Sequence, residues 1–286
     1  MSLRTEIDKL IGKNAGMLTK LIVINIIVFL LANILVNIPG EAFIVYDYLA
    51  LPSSLSKLLV HPWTLFTYMF VHVNTMHLIA NMIMFYWFSI VFTDFMGNKR
   101  LFYTYLLGGF AGGILFIVFS SVFMIHGNLI GASAGIMAVI VSAAMLVPDY
   151  EFNLILFGPV KLKYLAIAAF VLSSIVDFGV NSGGKVSHIG GAIYGVIYML
   201  QYKKGTDFAE IVANFFGKIA KAFSFAKAGV KLKSSQYRSG SSTNAPSMDK
   251  QKVIDKILDK ISHSGYDALT KEEKDILFKS SKGGDA

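Results

Sequence analysis

The sequence predicts an all-α membrane protein, a six-transmembrane-helix bundle with a cytoplasmic C-terminal tail. Only 15% of its 286 residues are charged, whereas soluble domains carry about 25%. Hydrophobic residues make up 55% of the chain and are concentrated in long blocks. Six of these blocks approach the roughly 20 residues that a helix needs to cross the hydrocarbon core.

The six predicted spans lie at about 18–38, 77–96, 101–124, 131–147, 162–178 and 186–202. The fourth and sixth are short and rich in small residues, as is typical of helices packed in the centre of a membrane bundle. The first lacks the short apolar core and the small-residue cleavage site of a signal peptide, so we expect a retained span.

The distribution of basic residues predicts the orientation. One side carries Arg4, Lys9, Lys13 and Lys20 at the start of span one, Lys99 and Arg100 between spans two and three, Lys161 and Lys163 before span five, and Lys203 and Lys204 after span six. The alternate loops hold only Lys57 and Lys185 against Glu41, Asp47 and Asp177. The positive-inside rule then places both termini in the cytoplasm. The expected location is a bacterial cytoplasmic (inner) membrane.

Composition divides the chain into five predicted regions. They are a cytoplasmic N-terminal segment 1–17, a membrane domain 18–202, a basic amphipathic juxtamembrane segment 203–233, a flexible linker 234–248 and a small helical hairpin 249–286. The residues from 203 onwards hold 16 basic and 10 acidic residues. Beside a membrane domain this excess indicates contact with anionic membrane lipid rather than nucleic acid.

The terminal hairpin and the first external loop need separate explanations. Thr270 and Glu273 have the spacing of a capping box at the start of the second hairpin helix. The hairpin shows no catalytic pattern, so we expect it to dock a cytoplasmic partner or to regulate the membrane domain. The first external loop, about residues 39–76, is rich in aromatic and apolar residues, which predicts a folded element in the membrane interface.

Ser133 is the first candidate for chemistry, within the small-residue string Gly131-Ala-Ser133-Ala-Gly135. A nucleophilic hydroxyl needs small neighbours, and free N–H groups at a helix start can stabilise an oxyanion. The alternative is a helix-packing surface without chemistry. The Gly-x-Ser-x-Gly elbow of soluble hydrolases requires an α/β sheet, so that match is accidental here.

His188 opens the sixth span, ahead of Gly191 and Gly195, which permit close approach of another helix. Ser133 and His188 both lie in the first turns of spans that enter from the same side, so they share one membrane depth. A serine nucleophile needs a base within hydrogen-bond reach, and the pairing favours catalysis. The alternative is a histidine that only satisfies a packing hydrogen bond.

His72, His77 and Asn81 surround the start of the second span. His77 and Asn81 are four residues apart and share a helix face, so both could donate hydrogen bonds at the depth of Ser133. The alternatives are a metal site or a polar helix contact. A metal site is disfavoured because there is no His-Glu-x-x-His motif and no carboxylate near these histidines at that depth. The sequence contains no cysteine, which excludes thiolate ligands and a cysteine nucleophile.

These clusters together resemble the rhomboid family of intramembrane serine proteases over about residues 18–202. The resemblance implies a serine-type endopeptidase that cleaves transmembrane protein substrates entering between spans two and five, without a cofactor or a metal. It implies that Ser133 is the nucleophile and His188 the general base. The implied oxyanion hole consists of the Ser133 main-chain N–H, His77 and Asn81, and the implied supporting residues are His72, Gly131, Gly191 and Gly195.

Three positions depart from the family pattern: Ala134 replaces the glycine after the serine, Met137 an aromatic residue, and Thr64 an arginine after Trp63. None removes a catalytic group, so we expect an active enzyme. One alternative is a catalytically silent rhomboid-like protein that binds membrane clients. A transporter or channel is the other, although the sequence lacks the internal repeat that is typical of transporters.

Overall fold

The computed structural model describes residues 15–40, 42–72, 74–154, 158–175, 182–228, 253, 255–261 and 266–282. They belong to two compact units, residues 1–229 and 230–286. Most of the predicted N-terminal segment and all of the predicted linker 234–248 lie outside the described residues.

The first unit is built from long helices at the positions of the apolar blocks. They are α1 (Met17–Asn37), α5 (Thr75–Phe123), α6 (Ser133–Leu146), α7 (Leu162–Ser174) and α8 (Ser182–Lys203). Gly97, with φ 78°, interrupts α5. We call residues 75–96 the first arm of α5 and residues 98–123 its second arm. Helical segments therefore lie at all six predicted positions.

Among the described residues, the two helices α1 and α5 are long and apolar enough to cross a membrane. The apolar helices α6 and α7 have 14 and 13 residues, fewer than the roughly 20 that a full span requires. The chain is thus a helical protein, and the number of six spans stays a prediction.

Short helices, turns and strands form the connections between the long helices. They are α2 (Ala42–Tyr48), β1 (Leu51–Pro52), α3 (Leu55–Val60), α4 (Thr64–Thr67), a 3-10 turn (Tyr68–Phe70), β2 (Asn128–Leu129), β3 (Glu151–Leu154) and β4 (Gly158–Lys161). A further long helix, α9 (Phe208–Ala228), follows α8. β1 pairs antiparallel with β2, and β3 pairs antiparallel with β4. The first external loop is therefore folded, and its strand joins the segment that leads into α6.

Helix α6 is the centre of the first unit, with ten of its 14 residues buried. Small residues let its backbone approach two neighbours closely. A Cβ on Gly112 of α5 would lie 2.6 Å from the Ala134 methyl group, and a Cβ on Gly195 of α8 would lie 2.8 Å from the Ala138 carbonyl oxygen. At Gly191 of α8 a Cβ would overlap the Ala134 carbonyl oxygen. Such close packing replaces the hydrophobic effect as the force between helices in lipid.

A charged cluster ties α9 to the end of the bundle that carries the basic loops, which we call the basic end. Arg100 Nε donates to Asp207 Oδ2 at 2.6 Å, and the Tyr198 hydroxyl donates to Asp207 Oδ1 at 3.1 Å. Burial acts to raise the pKa of Asp207, but hydrogen bonds from Arg100, the Glu210 N–H and Tyr198 outweigh it, and the pKa lies below its usual value. The carboxylate is therefore ionised and holds the start of α9.

The described part of the second unit contains a helical stretch at 255–261, a 3-10 turn (Tyr266–Ala268) and α10 (Lys271–Lys282). The main-chain N–H of Thr270 donates to Glu273 Oε2 at 2.8 Å, and the Glu273 N–H donates to Thr270 Oγ1 at 3.3 Å. These two bonds confirm the predicted capping box. Lys260 Nζ lies 2.9 Å from Glu273 Oε2 and ties the two helical segments of this unit together.

Replacement of Gly191 tests the packing of α8 on α6. Gly191→Ala forces a methyl group against the Ala134 carbonyl, and we expect the free energy of unfolding in detergent to fall by about 1–3 kcal/mol. Gly217→Ala is the matched control, because a Cβ there meets nothing within 4 Å. Thermal unfolding followed by circular dichroism measures both variants, and equal losses would contradict the close approach.

Asp207 gives the fold a pH dependence with a defined sign. Its folded pKa lies below the unfolded value of about 3.9, so its stabilising effect is complete above that value and is lost as pH falls through the folded pKa. We expect Asp207→Asn to lower the free energy of unfolding by about 1 kcal/mol at neutral pH. In strong acid the substitution should have no effect, because the carboxyl group is then protonated in the unchanged protein. Unfolding midpoints measured against pH check this.

Asp149→Asn is the control for that experiment. Asp149 is 63% exposed and pairs with two lysines, and exposed ion pairs contribute little to stability. A pH profile that is the same for both variants and the unchanged protein would show that Asp207 does not stabilise the fold.

Candidate functional site

Ser133 is the first residue of α6, and the chain before it is held from two directions. The strand pairing places Leu129 opposite Leu51 of the first external loop. Two residues later, the Gly131 N–H donates to the Tyr68 carbonyl at 2.9 Å. The position of Ser133 is thus fixed by main-chain contacts to the loop that precedes α5.

The structure brings Ser133 and His188 together, as their shared depth predicts. His188 Nε2 lies 2.6 Å from Ser133 Oγ. Both residues are half-buried. The hydrogen bond joins the first turn of α6 to the first turns of α8, at the end of the bundle opposite the basic end.

A third group orients the histidine ring. His188 Nδ1 lies 2.9 Å from the main-chain carbonyl oxygen of Ser173, near the end of α7. A carbonyl only accepts hydrogen bonds, so Nδ1 carries the proton and Nε2 accepts from the Ser133 hydroxyl. Sequence reasoning missed Ser173, and no signal could have revealed it, because every residue type offers the same carbonyl.

His72 and His77 lie beside the start of α6. The Ala132 N–H donates to His72 Nε2 at 3.5 Å, and the rings of His72 and His77 are 5.0 Å apart, edge to face. Gly131 has φ 120°, which favours glycine, and a Cβ there would lie 3.0 Å from His77 Nε2. His77 is therefore next to the segment that carries Ser133, while His72 holds its main chain.

Asn81 forms a hydrogen bond within its own helix. Its Nδ2 donates to the His77 carbonyl of its own helix at 2.9 Å, and its side chain is 8% exposed. Within the described contacts this amide binds the helix main chain and not Ser133. His77 and Asn81 do share a helix face, as their spacing predicts.

The three residues that depart from the family pattern pack against neighbouring helices or hold a turn. The Ala134 methyl group packs against Gly112 of α5. Met137 is buried in the centre of α6. Thr64 is also buried, and its hydroxyl donates to the His61 carbonyl at 2.7 Å, which closes the turn before α4.

The described residues contain no group of three histidine, aspartate or glutamate side chains that could hold a metal ion. The site consists of hydroxyl, imidazole and main-chain N–H groups. Helix α6 begins without a side-chain cap, so N–H groups of its first turn have no partner within the helix. Such an arrangement can donate hydrogen bonds to a carbonyl oxygen.

The chain matches a family model described as Rhomboid domain over residues 60–204. It belongs to the rhomboid family. The match covers half of the chain and includes every helix that contributes to the site, which confirms the resemblance seen in the sequence. A second model, described as Family of unknown function (DUF6576), matches residues 241–283 of this rhomboid protein.

Curated relatives of this rhomboid protein include Presenilin-associated rhomboid-like protein A, mitochondrial, of Danio rerio, 25% identical over 163 residues. The corresponding Rattus norvegicus and Homo sapiens proteins are 28% and 27% identical over 148 residues. The matches cover 56% and 50% of this chain but only 41% and 38% of those relatives. The chain thus spans about two fifths of the relatives that it matches.

These comparisons correct the prediction of an active serine endopeptidase. The names of the matched relatives state association with presenilin and likeness to rhomboids, and they state no cleavage of peptide bonds. They favour the alternative, a rhomboid-like protein that binds membrane clients. The pairing of these two side chains can also be explained without catalysis. A 2.6 Å hydrogen bond between Ser133 and His188 satisfies two polar groups inside an apolar bundle.

The expected bacterial cytoplasmic membrane also receives no support. The matched relatives are named as mitochondrial proteins. Membrane association itself rests on the rhomboid domain and on the apolar helices α1 and α5.

The hydrogen bonds of His188 predict one tautomer. We expect the ring nitrogen Nδ1 to carry the proton, because it faces the Ser173 carbonyl, and Nε2 to be unprotonated at neutral pH. Nitrogen-15 chemical shifts of the histidine-labelled protein measure this, with His188→Gln to assign the signal. In Ser133→Ala the same tautomer should remain, and a proton on Nε2 in the unchanged protein would refute the assignment.

Proposed function

We propose that this chain is a rhomboid-like membrane protein that binds transmembrane segments of client proteins at the cluster of Ser133, His188 and His77. The observation that carries the proposal is the half-buried Ser133–His188 pair at the uncapped start of α6. Polar groups inside a membrane bundle are costly and mark binding or transport sites. Both residues keep part of their surface exposed, which a client segment would contact.

The chemistry of the cluster favours a client with free main-chain carbonyls. An intact helix keeps its carbonyls in bonds between residues i and i−4. A segment that contains glycine, or that ends near this depth, exposes carbonyl oxygens that have no donor in lipid. The N–H groups of the first turn of α6 and the His77 imidazole are donors for those oxygens.

Exposed apolar surfaces flank the cluster and support entry from the bilayer. The residues are Ile79, Ile83 and Tyr86 on α5 and Ile167, Val171 and Leu172 on α7. Helix α7 packs on α6 and α8. A client segment that moves between the first arm of α5 and α7 would keep apolar contact until its carbonyls reach the donors.

The proposal also includes the membrane topology of the chain. The chain would have six spans, 18–202, with both termini on the side of the basic loops and with the segment 203–233, the linker 234–248 and the hairpin 249–286 on that side. The relatives' name records association with another protein, which supports protein clients in the membrane. The hairpin would bind a further partner at the membrane surface.

The roles of Ser133 as nucleophile, of His188 as base, and of His77 and Asn81 as oxyanion donors stay predictions. The same holds for the supporting roles of His72, Gly131, Gly191 and Gly195. Labelling of Ser133 by a fluorophosphonate measures the nucleophilic character of its hydroxyl independently of client binding.

Client binding is tested with the full chain in liposomes and two fluorescent single-span peptides. One peptide carries a Gly-Ser break near the outer end, and the other is uninterrupted leucine. We expect energy transfer to report tighter binding of the broken peptide. His77→Ala should weaken that binding about fivefold, the effect of one lost hydrogen bond of about 1 kcal/mol. The bound peptide should stay intact.

Ser121→Ala is the matched control, because the Ser121 hydroxyl donates to the Ile117 carbonyl of its own helix. It should bind both peptides as the unchanged protein does. Equal binding of the two peptides would overturn the proposed site. Release of two peptide fragments by the unchanged protein, but not by Ser133→Ala, would overturn the proposal and establish cleavage.

A further inference from the structure

A second feature of the bundle is an apolar cleft on the side of α7 and α8, which runs from Ile189, next to His188, to Lys163. It has a volume of about 520 Å³ and opens between α6, α7 and α8. Its walls include Val141, Ala166, Phe170, Ile189, Ile193 and Ile197. Ile167 and Ile193 at its mouth are 60% and 48% exposed, so in a bilayer the cleft faces the hydrocarbon region.

Positive charge is concentrated at one end of this cleft. Among the described residues that line it, Lys163 carries the one charged side chain. Met145 lines the same cleft, and its carbonyl accepts a hydrogen bond from Lys203 Nζ at 2.9 Å. Lys203 therefore lies at the Met145 end. Lys161 and Lys163 both donate to Asp149 Oδ1, at 3.1 and 2.9 Å.

The charges at this end do not balance. Lys161, Lys163 and Lys203 are three positive charges, whereas Asp149 and Glu151, which is opposite Lys161 in the β3–β4 pair, are two negative ones, so one positive charge is left over beside the apolar cavity. The ion pairs of Asp149 are exposed, with side chains that keep 38–63% of their surface, so an incoming anion can replace them at little cost. A ligand that fits must combine a long apolar part with a negative group at one end.

We propose that the cleft binds an anionic phospholipid, with an acyl chain along α7 and α8 and the phosphate at Lys163 and Lys203. Basic pockets between helices on the positively charged side of a membrane protein are suited to anionic headgroups. The proposed phosphate site is separate from the Ser133 cluster, because twelve residues of α6 between Ser133 and Met145 span about 18 Å. The lipid would hold α7 against α6 and α8.

Native mass spectrometry of the full chain tests this with phosphatidylglycerol and phosphatidylcholine of identical acyl chains. We expect the unchanged protein to retain one phosphatidylglycerol in preference to phosphatidylcholine. Each of Lys163→Gln and Lys203→Gln should weaken the binding about fivefold, as one lost lysine contact predicts. Ala166→Leu fills the cleft and should reduce retention of phosphatidylglycerol while both lysines remain.

Lys204→Gln is the control, since it removes an equal charge from the neighbouring exposed residue and should leave the preference unchanged. Three results would overturn the proposal: equal retention of the two lipids, unaltered binding in Ala166→Leu, or displacement by inorganic phosphate at the concentration of the lipid. Client peptides take no part in this measurement, so its outcome is independent of the proposed function.

Discussion

Where Gly191 of α8 crosses the Ala134 carbonyl of α6, two helix backbones approach so closely that no side chain fits between them. His188 precedes Gly191 by one turn, and Ser133 precedes Ala134 by one residue. The close approach of the two backbones therefore brings the imidazole to the hydroxyl. In lipid the association of helices depends on such contacts between small residues, so bundle stability and site geometry share one cause.

The other contacts of the site are hydrogen bonds in which at least one partner is a main-chain group. Carbonyls of Ser173 and Tyr68 bind His188 Nδ1 and the Gly131 N–H. His72 accepts from the Ala132 N–H on a third side. Every one of these contacts satisfies a polar group that would otherwise be unpaired at membrane depth, where each such group is costly. The need to satisfy the backbone thus gives the side chains their orientation.

Apolar blocks located the helices well, because length and hydropathy decide which segments enter a membrane. The shared membrane depth of Ser133 and His188 also predicted that their side chains would meet. Residue patterns did not reveal that Asn81 would bind its own helix, since an amide has several partners within reach and packing selects among them. The function was predicted less well than the fold, because the hydrogen bond between Ser133 and His188 has the same geometry whether it prepares a nucleophile or satisfies two buried groups.

The pairing of residues 51–52 with 128–129 has a consequence for the order of assembly. These strands are far apart in sequence, so their contact closes a long loop at a corresponding cost in chain entropy. Synthesis delivers α8 last among the bundle helices, and His188 with it. In a nascent chain both strands are therefore available for pairing before the imidazole of His188 has been synthesised, and the polar cluster can be completed only when the last bundle helix is present.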